Sequence, residues 1–123
     1  MENFDATVRL ELANLRAEYL KALPNEIQQI SELAQALQAD TICNATLNTL
    51  HLRLHKLAGA GGSFGLNQLS SEARGLEKQV RAWVKEGTTQ IEKSTLQQFS
   101  ADIGKLIETL VEAENDDWLS LPQ

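Results

Sequence analysis

Cysteine is almost missing from this 123-residue sequence. Cys43 stands alone, so no disulfide can close within the chain, and a reducing compartment is the expected home. Proline occurs only twice, as Pro24 and Pro122, and aromatic residues make up 5%. With β-branched residues scarce too, no alternating pattern marks a strand. There is no excess of positive charge: 11 Lys and Arg against 17 Asp and Glu give a formal charge of −6. That balance excludes wholesale attraction to nucleic acid or anionic lipid and leaves room only for a local basic patch. No run approaches the roughly 20 apolar residues that cross a bilayer. The opening MENFDATVRLE carries acids where a signal peptide would be basic and then apolar. No low-complexity linker or long repeat divides the chain. A single soluble, cytoplasmic domain over residues 1–123 is expected.

What is present is helix-forming. Ala, Leu, Gln, Glu and Lys dominate, and 42% of residues are hydrophobic. Val8, Leu12, Leu15, Tyr19 and Leu23 recur at helical steps and predict a first helix over 6–22, with Asp5 as its N-cap. Pro24 fits the first turn of a second helix over about 24–39, striped by Ile27, Ile30, Leu33, Ala34 and Leu37. Leu47, Leu50, Leu54 and Leu57 form the seam of a third, over about 42–64. The fourth, about 67–86, buries Leu69, Ala73, Leu76, Val80 and Trp83, and Gly87 ends it. The fifth, about 94–114, carries Leu96, Phe99, Ile103, Leu106, Leu110 and Val111. An acidic stretch then leads to Trp118. Short connections between amphipathic helices favour an antiparallel up-down bundle.

Five of the seven glycines fall between Gly59 and Gly75, and the densest stretch is HKLAGAGGSFG, His55 to Gly65. A phosphate-binding loop would need Lys and then Ser or Thr after its last glycine, but Leu66 and Asn67 follow. A dinucleotide fingerprint needs glycine at position 64, which is Phe64. Helical geometry gives another reading. At about 100° per residue, His55 points about 130° from the leucine seam, into solvent. Gly59 lies one turn on, with Gly62 and Ser63 on the turn after it. Each interior glycine costs about 1 kcal/mol relative to alanine, and an exposed face needs none of them for packing. A bare track around an imidazole lets another protein approach the ring. The alternative is that Gly59 to Gly62 form a loop that ends the helix.

HKLAGAGGSFG followed by LNQLSSEARGLEKQV resembles the core of histidine-containing phosphotransfer (HPt) domains. Their pattern is H-x-L-K-G-(S/A)-(A/S), then (L/F)-G, then a leucine-rich helix containing L-E. The resemblance implies an all-α fold: an antiparallel up-down four-helix bundle with an additional N-terminal helix. It implies that His55 is the phosphoacceptor, that Gly59 is the glycine one turn later, and that Leu76-Glu77 is the pair on the next helix. One departure stands out. The lysine commonly found three residues after the histidine is Ala58 here, and Lys56 is the nearest lysine. The implied role is relay of a phosphoryl group to or from aspartates of response-regulator receiver domains or a hybrid histidine kinase. The domain would be a phosphocarrier without kinase activity of its own. It would hold no cofactor, since Mg²⁺ belongs to the receiver. Two other readings stay open: the phosphoacceptor domain of a chemotaxis-type histidine kinase, and a docking bundle that is never phosphorylated.

A neutral imidazole is a competent nucleophile near neutral pH, and the nitrogen that does not attack is free to be oriented by an acceptor. Glu77 is the candidate acceptor. It sits beside its helix's core stripe, although an exposed glutamate paired with Arg81 is the commoner arrangement for such a residue. Arg74, Lys78 and Arg81 form a basic row that could dock an acidic receiver pocket, or simply a solvated face. His51 and His55 have the i, i+4 spacing of helical metal sites. No third ligand is in view and no metal is expected, so His51 reads as a partly buried, hydrogen-bonded histidine. Cys43 reads as a half-buried, inert thiol, and Trp83 and Trp118 as packing residues. A monomer is expected, because the one unusual surface is assigned to a partner.

Overall fold

The structure, a computed structural model, describes residues 6–114, with side chains through Leu110. Within them the chain forms four α-helices: α1 (Ala6–Gln35), α2 (Asn44–Ser63), α3 (Asn67–Lys85) and α4 (Lys93–Glu114). A 3₁₀ turn, Ala36–Gln38, follows α1. The architecture is the all-helical bundle expected from the sequence, with corrections in detail. The break expected at Pro24 does not occur, and the two N-terminal helices are one continuous α1. A proline inside a helix costs about 3 kcal/mol. Here Leu23, Ile27 and Ile30, at 0%, 1% and 0% exposure, anchor the helix to the core on both sides of the proline. Each such burial contributes roughly 1.5–3 kcal/mol, enough to offset that cost. Pro24 itself is exposed, so water can reach the carbonyl that its missing N–H leaves over.

A second correction concerns the first turns of α1. Val8, Leu12 and Leu15 are 37%, 37% and 52% exposed, so the expected stripe enters the core only from Tyr19 onward. The reason is length. Thirty residues span about 45 Å and the 20 of α2 about 30 Å, so α1 outruns its neighbour. Arg16 marks the level where α2 ends: its buried Nε donates to the Phe64 carbonyl at 3.0 Å. Tyr19 stacks on Phe64, with ring centroids 4.9 Å apart.

Antiparallel packing follows from the cross-helix pairs. Arg16 meets Phe64 while Glu26 meets Arg53, so α1 and α2 run in opposite directions. Trp83 packs against fully buried Phe99, joining the end of α3 to the start of α4. The α2–α3 and α3–α4 connections turn through Gly65 (φ 76°) and Gly87 (φ 65°). The Leu66 and Thr88 N–H groups reach back to the Gly61 and Trp83 carbonyls at 2.8 and 3.0 Å. This is the left-handed helix terminus that glycine permits at lowest cost. The core is the seam Leu47, Leu50, Leu54 and Leu57 against Leu69, Leu76 and Val80 of α3 and Ile103 and Leu106 of α4. Asp5, Trp118 and the Val111 side chain lie outside the described residues. Cys43, expected half-buried, is exposed at the start of α2. Among the described residues, no helix is long and apolar enough to cross a membrane.

Candidate functional site

The α2–α3 pair builds the site. Ser70 sits on the buried face of α3 and donates its hydroxyl to the Ala58 carbonyl of α2 at 2.7 Å, fixing the register of the two helices. Gly61 allows the close approach: a Cβ there would meet Leu69 Cδ2 at 3.4 Å. Seven residues beyond Ser70, on the same stripe, Glu77 is 7% exposed and reaches back to α2.

There His55 Nδ1 and Glu77 Oε2 are 2.9 Å apart, so with the proton on Nδ1 the ring donates to the carboxylate. The His55 side chain is 68% exposed and that of Glu77 only 9%. A buried acceptor thus holds one nitrogen of an outward-facing imidazole and leaves Nε2 as the other. His51 Nε2 lies 3.2 Å from the same Oε2, and Arg81 Nη2 lies 4.0 Å from it. Burial pushes the Glu77 carboxyl upward. The hydrogen bond from His55 and the charges of His55, His51 and Arg81 outweigh that push and hold it below its ordinary 4.5.

α2 continues to Ser63, so the glycines from Gly59 to Gly62 lie inside a helix and not in a loop. Lys56, Gly59, Gly62 and Ser63 are exposed. A Cβ on Gly59 would meet nothing within 4 Å, and one on Gly62 would meet only the Ser70 hydroxyl at 3.4 Å. No packing demand among the described residues therefore accounts for Gly59. Ser63 turns its hydroxyl back to the Gly59 carbonyl at 3.2 Å, which keeps it low on the surface. Ala58 is 2% exposed, packed between α2 and α3. At this position the chain fills the interface with a small apolar side chain where the pattern commonly has lysine. Arg74, Lys78 and Arg81 are all exposed. The antiparallel register set by Ser70 with Ala58 and Glu77 with His55 puts Arg74 level with His55.

The Hpt domain pattern matches residues 14–115. The chain belongs to the Hpt domain family. Hpt domains carry out histidine phosphotransfer in phosphorelay signalling and interact with response-regulator receivers or kinases. No curated protein and no solved structure matches the chain significantly. In this Hpt domain the match covers α1 from its third turn, all of α2 and α3, and α4 to its end.

Sequence reasoning passed over three residues of the site. Leu52 is 59% exposed and lies on the same side of α2 as His55, about 60° away. Its signal was a leucine off the 47-50-54-57 seam. Ser70 and Gly61 were also legible in principle, as polar or bare positions within an otherwise apolar α2–α3 interface. His51 is half-buried as expected, but its buried Nε2 makes no hydrogen bond. Among the described residues, no group of three or more His, Cys, Asp or Glu is arranged to hold a metal ion.

Proposed function

We propose that this domain is a phosphorelay intermediate in which Nε2 of His55 accepts a phosphoryl group from a receiver aspartate and returns it to one. The observation that carries the reading is the 2.9 Å contact between a 68% exposed imidazole and a buried carboxylate. In the forward step the Nε2 lone pair attacks phosphorus, and the bond from phosphorus to the aspartyl oxygen breaks. The electron pair of that bond leaves with the aspartate carboxylate. The imidazole keeps its Nδ1 proton and gains positive charge, which the Glu77 carboxylate faces directly. Charge that develops during reaction is best stabilised by a group already in place. Phosphoryl transfer needs in-line positioning and charge neutralisation more than covalent help. The receiver is therefore assigned the aspartate, Mg²⁺ and a lysine, and this domain the nucleophile and a dock.

The dock comprises the bare track of Gly59, Gly62 and Ser63, apolar Leu52, and the cations Lys56, Arg74, Lys78 and Arg81. An acidic receiver pocket complements those cations within a chain of net charge −6. One such face, used by one receiver at a time, suits a monomer working in the cytoplasm. Incubation with a phosphorylated receiver is expected to move the label to this domain in an acid-labile, alkali-stable form, and His55→Gln is expected to abolish it. Label that persists in His55→Gln contradicts the assignment.

A further inference from the structure

A second imidazole shares the carboxylate. His51 lies one helical turn before His55 on α2, half-buried, with Nε2 3.2 Å from the Oε2 that His55 contacts. That Nε2 is buried and has no hydrogen-bond partner among the described residues, although Glu77 is within ion-pair distance. A buried polar atom left unmatched is costly, and an apolar residue at the edge of the leucine seam would avoid that cost. The two rings stack at 6.2 Å between centroids, with planes 25° apart. Two imidazoles are thus poised over one oxygen, and the geometry of the outer one completes the hydrogen bond.

We propose that His51 is a second positioning residue of the site, acting through Glu77, whose protonation sets how much of the carboxylate's charge is left for His55. The proposal rests on the phosphotransfer reading for its consequence, not for its test. With His51 neutral, Glu77 holds the His55 ring and balances positive charge on it. A proton on His51 turns the 3.2 Å approach into an ion pair. The same oxygen then serves two cations, and any charge on the His55 ring, from a proton or a phosphoryl group, is less well balanced. Among the described residues, the charged groups around the cluster are these. From α3 come Glu77 and Arg81, with Arg74 level with His55 and Lys78 next to Glu77, and from α2 comes Lys56 directly after His55. Arginine stays charged throughout the range in which imidazoles titrate. On α2, Arg53 lies about 200° round the helix from His51 and pairs with Glu26 of α1 at 4.0 Å. α4 packs mainly on α1 and α3. The two rings and Glu77 are the groups free to exchange charge with one another.

The test is a titration of the intact protein with ¹⁵N-labelled imidazoles, followed by NMR from about pH 5 to 8.5, the window of histidine titration. Four forms are compared: unsubstituted, His51→Gln, Glu77→Gln and the double variant. Direct repulsion across 6.2 Å of water accounts for about half a pH unit. Competition for Glu77 adds to this. His51→Gln is therefore expected to raise the His55 midpoint by about one unit, a tenfold change in proton affinity. In the Glu77→Gln background the rise is expected to fall to about half a unit, and the difference measures coupling through Glu77. In the unsubstituted protein, both rings are expected to follow coupled curves and not single-proton curves. Equal shifts in the two backgrounds, or no shift with single-proton curves, overturn the proposal. Phosphorylation of His55 is scored separately by label transfer, so failure of the coupling and failure of the relay reading are distinguishable.

Discussion

Glu77 Oε2 has His55, His51 and Arg81 within 2.9, 3.2 and 4.0 Å, on a side chain that water scarcely reaches. An amide at this position keeps an oxygen for the imidazole N–H but loses the negative charge. Hydrogen bonds to charged groups contribute about 1.5–3 kcal/mol, so Glu77→Gln is expected to slow phosphoryl acceptance by roughly 10- to 100-fold in initial-rate assays. An unchanged rate would mean that the carboxylate only packs. The same residue makes stability depend on acid. Its folded-state value lies below the ordinary 4.5, so the folded protein binds fewer protons there than the unfolded chain. The stabilisation is complete above about 4.5 and is lost as pH falls through the lowered value. Urea melts at about pH 5 and pH 3 should show a steeper loss for the unsubstituted protein than for Glu77→Gln.

α2 carries an interior glycine at the point where a partner would approach, and α3 and α4 carry others elsewhere. Gly59, Gly75 and Gly104 all have open space where a Cβ would stand. Alanine at any of the three is expected to stabilise its helix by about 1 kcal/mol, a rise in Tm of roughly 3–6 °C. Gly75 lies about 160° round α3 from Glu77, so Gly75→Ala should leave transfer untouched. Gly59→Gln should also raise Tm yet slow transfer, because its bulk stands beside His55. Transfer at full rate in Gly59→Gln would remove the argument for a bare track. At the far end of α2, loss of the Arg16 bond to the Phe64 carbonyl in Arg16→Ala is expected to cost about 1.5–3 kcal/mol in urea melts. The leucine seam of α2, the stripe of α3 and the Gly87 terminus were legible in the sequence because each depends on local spacing. The continuity of α1 was not, since a proline's local cost is outweighed only by tertiary burial of Leu23, Ile27 and Ile30. Nor was exposure of Leu12 and Leu15, which depends on how far the neighbouring helix extends. The outward His55 could be read from helical angles. The burial of Glu77 and its hold on both histidines required the α2–α3 register.

On the scale of the whole molecule, a net charge of −6 surrounds a row of exposed cations on α3, so the proposed docking of an acidic receiver would depend on a local field and not on overall charge. Transfer is expected to slow as ionic strength rises. In Lys78→Ala both the rate at low salt and the steepness of that dependence are expected to fall, while Tm stays within about 1 °C, as for most surface substitutions. A salt dependence identical in Lys78→Ala would place the dock elsewhere. The bundle holds α2 and α3 so that a buried carboxylate engages one nitrogen of an exposed ring, and the proposed mechanism assigns the reaction to the other. The most direct measurement is the position of the phosphoryl group, read by ³¹P and ¹⁵N NMR on the labelled protein. The account predicts a single phosphohistidine at Nε2 of His55, with Nδ1 still protonated toward Glu77. Phosphate on Nδ1 of His55, or on His51, would contradict it.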